Sequence, residues 1–449
     1  MPNEEVILLK KSDFMHPKGV KALDGAQVPF WFWNDTLEDG ELKRQAALMY
    51  DAGIKGCAPH ARTGFRGGYL DDAWMAHFET VLEEQKKRGG TLWIYDEFNW
   101  PSGTGGGEIT KNEEFREKYL IFHRVDVPAG TVFRAQISNL SPSKFNMEDQ
   151  YKEGGHKVRP NVFCYDAQAM EPLALDPFMV AKTYAGMKVK DFQLQRDRDT
   201  AVYIVKILTE PYPGEGELTP DYLNPDMTDA FIQMTHEAYY KRFPRDFGNV
   251  IQVAFDDETR FCHAFPWTEQ LPEVFLEKKG YDLLERLPDL VIPGEEAGRT
   301  RCDYFDIVAD LYRENYHGRI HQWCLTHGID YCPHLLGEET LAGQVRFSGD
   351  YMRQLAAVGR PGIDHLGKGI GSLNIKFASS AAECYGKSGL ACEVFAACGQ
   401  PADPALLRHA FGCCIGSRDA DLSSCGNLLA PLSGGSELYP WLLPWPSDR

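Results

Sequence analysis

The sequence predicts an α/β protein built as a (β/α)8 barrel, on three observations. Short apolar runs alternate with longer amphipathic stretches, as in a βαβ succession. Nearly every run ends in acids, histidine or asparagine, where a barrel carries its chemistry. A block of strand-like segments interrupts the rhythm once, over residues 125–215.

"QVPFWFWN" (27–34) is too short for a helix and rich in aromatics, and reads as a fully buried first strand. Asp35 or Thr36 is placed to cap the next helix, whose Leu42, Ala46 and Met49 share one face until Gly53 stops it. "GIKGCAPHART" is the second strand. "WMAHFETVLEEQKKRGG" is a helix closed by Gly89 and Gly90, and Thr91 to Tyr95 the third strand. In the β-rich block, "HRVDVPAGTVFRAQIS", "NVFCYDAQAMEPLAL" and "TAVYIVKIL" read as strands.

The rhythm resumes with a helix in "NPDMTDAFIQMTHEAYYKRF", capped by Asn224 or Asp226, with Phe231, Met234 and Tyr239 on one face. "NVIQVAFDDETRF" is the fourth strand. A long helix spans about Cys302 to His327, followed by "GIDYCPHLLGEE" as the fifth strand and "RPGIDHLG" as the sixth. "IKFASSAAECYGK" is helical, and "SGLACEVFAACG" is the seventh strand. No apolar run marks an eighth. The alternatives are a degenerate strand near Cys413 to Ile415 or in "GNLLAPL", or an incomplete barrel. The expected divisions are 1–124 and 216–410 for two parts of a barrel, 125–215 for a β-rich insertion, and 411–449 for an irregular tail.

Composition narrows the function. A net charge of −18 disfavours nucleic acid and anionic lipid as partners. No run of about eighteen apolar residues occurs, and the N-terminal "MPNEEVILLKKSDFMHPKGVK" lacks a signal-peptide core, so a cytoplasmic protein without membrane association is expected. The 12 cysteines are scattered without any C-x-x-C pair and read as free buried thiols. Cys413, Cys414 and Cys425 fit no zinc spacing.

The predicted strands end in Asn34, His60 and Arg62, Asp96 and Glu97, Asp256 to Glu258, His334 with Glu338 and Glu339, Asp364, and Glu393. Acids after so many strands converge on one rim. Such a pocket suits glycoside hydrolysis, in which one carboxylic acid protonates the leaving oxygen while a carboxylate activates water or attacks the anomeric carbon. Crowding also separates the proton affinities of the acids. Trp31, Trp33, Trp100 and Trp267 offer apolar faces to a sugar, although Trp31 and Trp33 read equally well as core. The stretch "GTLWIYDEFNWPSGTGG" (90–106) raises a different chemistry, because a glycine-rich run after a strand can cradle phosphate. It lacks the Lys-Ser/Thr ending of a P-loop, and Pro101 to Gly107 reads better as a tight rim loop.

The blocks "PFWFWND", "PHARTGF", "LWIYDEFNWPSGTGGG", "VAFDDETRF", "HLLGEETL", "PGIDHL" and "ACEVFAACG", in this order, resemble the catalytic barrel of glycoside hydrolase family 106, the α-L-rhamnosidases. The resemblance covers about residues 27 to 398. It implies an inverting, calcium-dependent glycosidase with a glutamate after strand four as general acid and one after strand seven as general base. By block these are Glu258 and Glu393, with Glu338 the rival base. Asp257 is then a charge neighbour that raises the proton affinity of Glu258. His60, Arg62, Asp96, Glu97, Trp100, Asp257, His334, Glu338 and Asp364 are expected to contact the sugar, with His334 reading equally as a buried histidine satisfied by its neighbours. No EF-hand loop is present, so calcium ligands are not assigned. Another exo-glycosidase, such as a galactosidase, or a non-catalytic carbohydrate-binding barrel are the alternatives. The pattern stops after about Phe411, as truncation or a divergent tail would produce, with neither an eighth strand nor the family's β-sandwich continuation evident.

Overall fold

The computed structural model describes residues 28–137, 162–173, 179–184, 187–209, 218–365, 374–387, 389–394 and 422–426. The described parts of 1–112, 224–260 and 311–449 form one compact unit, and those of 113–223 and 261–310 a second.

The described residues of the first unit form eight strands: β1 (Phe30–Trp33), β2 (Gly56–Ala61), β3 (Thr91–Tyr95), β4 (Ile251–Thr259), β5 (Asp330–Leu335), β6 (Gly362–His365), β7 (Leu390–Val394) and β8 (Leu422–Gly426). Each paired neighbour is parallel. Ladders join β1 through β5 into one sheet and β6 through β8 into another. Among the described residues no ladder joins β5 to β6 or β8 to β1. Register places Tyr95 opposite Phe255, and Asp364 opposite Glu393, so residues far apart in sequence reach the same level.

The period of two in β1 decides what faces what. Phe30 joins Ala58, Trp93, Tyr95, Val253, Phe255, Cys332 and Ala391 in one buried cluster, with Phe32 packed against it. Phe30 lies 4.8 Å from the Phe255 ring and 5.3 Å, edge-on, from Tyr95. Trp31 and Trp33 point the other way, towards helices. The Trp31 indole donates to Gln45 Oε1 at 3.0 Å, and Trp33 packs edge-on against Trp74 at 4.9 Å. Both are core residues and not sugar platforms.

Helices follow the strands where the spacing predicts them. Leu42, Ala46 and Met49 are the buried face of Asp39–Asp51, but neither Asp35 nor Thr36 caps it, because the helix starts later, at Glu38. Asp71 caps Asp72–Arg88 by accepting from Trp74 N–H at 2.8 Å, and Gly89 ends it with φ +74°. Asn224 caps Pro225–Met234, as expected. The long helix predicted from Cys302 is Ala297–Tyr312, a single π turn over Arg313–His317, and Gly318–Thr326.

Two divisions differ from expectation. An eighth strand is present, and it lies at Leu422–Gly426, between the two positions anticipated. Its sequence, "LSSCG", holds one large apolar residue, so no hydrophobic run announces it. Cys413, Cys414 and Ile415 lie outside the described residues. The β-rich unit is also larger than 125–215. Its five-stranded antiparallel sheet begins at Lys118 and takes in Pro266–Trp267, paired with Lys118 and Tyr119. Two paired residues leave no strand signature, and Trp267 is therefore in the second unit, buried.

Phe255 is 1% exposed at the centre of the first unit's cluster. Phe255→Ala is expected to lower the unfolding free energy by about 3–5 kcal/mol. Urea denaturation measures it, and a loss below about 1 kcal/mol would contradict a packed interior at this position.

Candidate active site

Three consecutive carboxylates end β4, and the backbone sends them in different directions. The register with β5 shifts between Asp256 and Thr259, a bulge of the kind that re-aims side chains beside active sites. Glu258 has φ +49°, in the left-handed region that non-glycine residues seldom occupy. Asp256 is fully buried and accepts the Tyr316 hydroxyl at 2.6 Å. Asp257 accepts the Tyr95 hydroxyl on Oδ2, and its Oδ1 lies 3.1 Å from His334 Nε2. Glu258 keeps 17% of its side chain exposed, with Arg260 3.7 Å away.

His334, near the end of β5, is the centre of the cluster. It is 1% exposed, and its other ring nitrogen, Nδ1, lies 3.7 Å from Glu393 Oε2. These are ion-pair distances, without the alignment of hydrogen bonds. Asp364, opposite Glu393 on β6, has a buried Oδ1 with no hydrogen-bond partner.

Glu338 turns out to be occupied. Its carboxylate accepts the Tyr351 hydroxyl at 2.7 Å, the Asp364 N–H, and Asn374 Nδ2 at 3.2 Å. It ties the end of β5 to β6 and to the helix Asn374–Cys384, which leaves Glu393 as the less encumbered base candidate.

The β2 and β3 ends build the opposite rim. His60 Nε2 donates to the Asn99 carbonyl at 2.9 Å, and its ring stacks on Tyr95. The Arg62 guanidinium lies over Phe32 at 4.6 Å and over Trp100 at 4.3 Å. Asp96 is fully buried, accepts Ser102 Oγ–H at 2.6 Å and faces His236 Nε2 at 3.5 Å. Glu97 differs most from expectation. It accepts the backbone N–H groups of Phe98 at 2.9 Å, Thr104 at 2.7 Å, Gly105 at 2.8 Å and Gly106 at 2.5 Å. The glycine-rich loop does cradle an anion, and that anion is the chain's own Glu97. Glu97 is an anchor of the loop and not a free sugar contact.

Burial and crowding set the proton affinities. Burial, then Asp257, raises the Glu258 carboxyl above its ordinary range, against the pull of His334 and Arg260. Burial, then Asp257, also holds Glu393 well above its ordinary range. Asp364 is pushed up to about 8, again first by burial. Burial works against a charged His334, but Asp257, Glu393 and Asp364 overcome it and hold the imidazole well above its ordinary value.

A hard cation suits this charge balance. Asp257, His334 and Glu393 place one ligand atom each within 4.8 Å of one another, and so do Glu258, His334 and Asp364. The unpartnered Asp364 Oδ1 and the mutual repulsion of four carboxylates leave negative charge for a cation to neutralise. Calcium takes six to eight oxygens, so hydroxyls or water would have to complete any such site.

Residues 211–411 match the model of glycoside hydrolase family 106, alpha-L-rhamnosidase. That segment holds Glu258, His334, Glu338, Asp364 and Glu393, while the β2 and β3 rim precedes it. The fold is similar to the solved rhamnosidase from Novosphingobium sp. PP1Y, with a TM-score of 0.57 and 14% identity, over 85% of this chain and 52% of that one. The chain thus spans about half the length of that rhamnosidase. No curated protein matches. No described helix is long and apolar enough to cross a membrane.

Sequence reasoning missed Tyr95, Ser102, Tyr316 and Tyr351 as partners of the acids. Tyr95 ends a strand and Ser102 sits in the rim loop, and both positions were available as signals. Tyr316 and Tyr351 lie on helices and carried none.

Burial holds the carboxyls of Asp221, Asp256 and Glu338 at about 7. Such groups stabilise the fold fully below their unfolded values near 4, and that contribution is lost as pH rises through about 7. His236 and His317, held at about 3 by burial, change protonation on unfolding only below about 6.5. Between pH 6.5 and 9, where these histidines are silent, the melting temperature is therefore expected to fall. Scanning calorimetry across that range tests it, and a level or rising trend would show that the acids are not buried in protonated form.

Proposed function

We propose that this chain is a glycoside hydrolase that removes a terminal α-L-rhamnose, or a closely similar deoxysugar, with inversion at the anomeric carbon. The observation that carries the reading is the placement of Glu258 and Glu393 at the ends of β4 and β7, each with a carboxylate oxygen within 4.8 Å of a His334 ring nitrogen, within the segment that matches family 106. The scaffold is a (β/α)8 barrel. One apolar cluster that includes Phe30 of β1 and Ala391 of β7 supports a closed interior.

In this mechanism Glu258 is the general acid. Its raised proton affinity favours the protonated form, and it gives that proton to the glycosidic oxygen as the bond breaks. Glu393 is the general base that takes a proton from the attacking water on the other face of the sugar, with the two carboxyls expected roughly 6.5–9.5 Å apart. Burial and Asp257 raise the proton affinity of Glu393 too, so its work as a base depends on the charged His334 at 3.7 Å, which favours the carboxylate form. Trp100 and the guanidinium of Arg62 line the rim on which the sugar would rest. Asp257 and Asp364 would hold calcium through oxygen, since the two glutamates must exchange protons. When bound, the ion supplies positive charge for binding sugar hydroxyls.

Glu258→Gln and Glu393→Gln are each expected to lower kcat by about 10²–10⁴-fold on p-nitrophenyl α-L-rhamnoside, with the fold intact by circular dichroism. Full activity in either variant would remove that residue from the mechanism. NMR of the first-formed product should show the inverted anomer, and a retained anomer would refute the two-carboxylate assignment. A panel of nitrophenyl glycosides separates rhamnosidase from galactosidase, and sugar binding without turnover of any substrate would favour the non-catalytic alternative. Activity is also expected to fall on chelation and to return with added Ca²⁺. Unchanged turnover in excess chelator would exclude calcium from the reaction.

A further inference from the structure

The mechanism above leaves Ser102 without a role, although it is fully buried beside the site. Its contacts are reciprocal. Ser102 N–H donates to the Asp257 carbonyl at 2.9 Å, and Asp257 N–H donates back to Ser102 Oγ at 2.9 Å. The hydroxyl proton goes to Asp96 Oδ1 at 2.6 Å. One serine therefore fixes both backbone polar groups of the residue that precedes Glu258, and its own orientation is fixed by a buried carboxylate.

The residue that follows Asp257 is the strained one. Glu258 at φ +49° sits in the bulge of β4, a conformation that persists only when its surroundings over-determine it. On the far side, Thr259 Oγ accepts the Tyr312 hydroxyl at 2.7 Å. On the near side the clamp is Ser102. The loop that carries Ser102 is itself held by the N–H groups of Thr104, Gly105 and Gly106 on Glu97.

We propose that Ser102 is a positioning residue that holds the backbone at Asp257 and Glu258 so that the Glu258 carboxyl is aimed at the leaving oxygen. The inference rests on the general-acid role given to Glu258 above. Without the clamp the bulge relaxes and the acid loses its aim, while the cluster around His334 keeps its own contacts. The loss falls on proton donation. Poor leaving groups, which need the proton, suffer more than activated ones, which leave without it.

The experiment compares methyl and 2,4-dinitrophenyl α-L-rhamnosides with wild type, Ser102→Ala, Ser102→Thr and Glu258→Gln. Ser102→Ala is expected to lower kcat/KM for the methyl glycoside by about 30-fold or more and for the dinitrophenyl glycoside by less than about 3-fold, with Ser102→Thr restoring most of the loss. Ser102→Cys, isosteric with a weaker acceptor, provides the same comparison where the alanine variant does not unfold cooperatively. Equal losses on both substrates in a folded variant, while Glu258→Gln still discriminates between them, would overturn this inference alone. A Glu258→Gln variant that does not discriminate would overturn the general-acid reading and this inference with it.

Discussion

Four carboxylates and one imidazole share a volume from which water is largely excluded, and their mutual repulsion constrains everything around them. Like charges at these separations in a poorly solvated interior cannot all be ionised. Glu258, Asp364 and Glu393 therefore hold their protons more tightly than ordinary carboxylates do, and a charged His334 lies at ion-pair distance from Asp257 and Glu393. The acids next to this cluster are treated differently. Asp256 is capped by Tyr316, Glu338 by Tyr351, Asn374 and a backbone N–H, and Glu97 by four backbone N–H groups. Hydrogen-bond donors hold these three acids, whereas in the cluster Asp364 Oδ1 is buried without a hydrogen-bond partner and His334 meets Asp257 and Glu393 only at ion-pair distance. In the proposed mechanism that division, more than the number of acids, sets the reacting groups apart from supporting ones.

The same division explains what the sequence could and could not reveal. Strands β1 to β5 and β7 were legible as short, largely apolar runs, and the acids at their ends could be named by counting outward from the runs, whereas β6, "GIDH", holds one large apolar residue and fitted only as the next strand in the rhythm. β8 was not legible, since "LSSCG" pairs through its backbone and carries no hydrophobic pattern. Pro266–Trp267 escaped for the same reason. Among the site residues, Glu258, Asp364, Glu393 and His334 were named and do come together. Glu97 and Glu338 were named as sugar contacts because a carboxylate after a strand looks the same in sequence whether its partners are solvent, substrate or three buried donors. Only the fold supplies those donors, from residues as distant as Asn374.

The glycine-rich loop shows how a chemical signal can be correct and its occupant wrong. Consecutive N–H groups that converge in a tight turn make an anion site whatever the anion is. In a nucleotide-binding protein the occupant is phosphate. Here Glu97 is built into the site, so the loop is closed by its own sequence and does not await a ligand. Gly105 is needed because a Cβ there would meet Met234 Sδ at 2.7 Å with the backbone at φ +59°. The run of glycines thus serves the close approach of backbone to carboxylate and places Trp100 and Ser102 on the rim.

The strain at Glu258 follows from geometry that an unbroken strand could not provide. With a strict period of two, Asp256 and Glu258 would share one face and Asp257 the other. Asp256 is directed into a layer of tyrosines, and a regular Glu258 would follow it into the interior, away from solvent and from any leaving group. The bulge frees Glu258 from that alternation, at a cost on the order of 1–3 kcal/mol for a non-glycine residue in the left-handed region. Contacts from Ser102 on one side and Tyr312 on the other hold the distortion in place. A charged neighbour at the strand end, Arg260, then tempers the repulsion that the exposed carboxyl still feels from Asp257. The acid is thereby kept partly accessible while every group that aims it is buried.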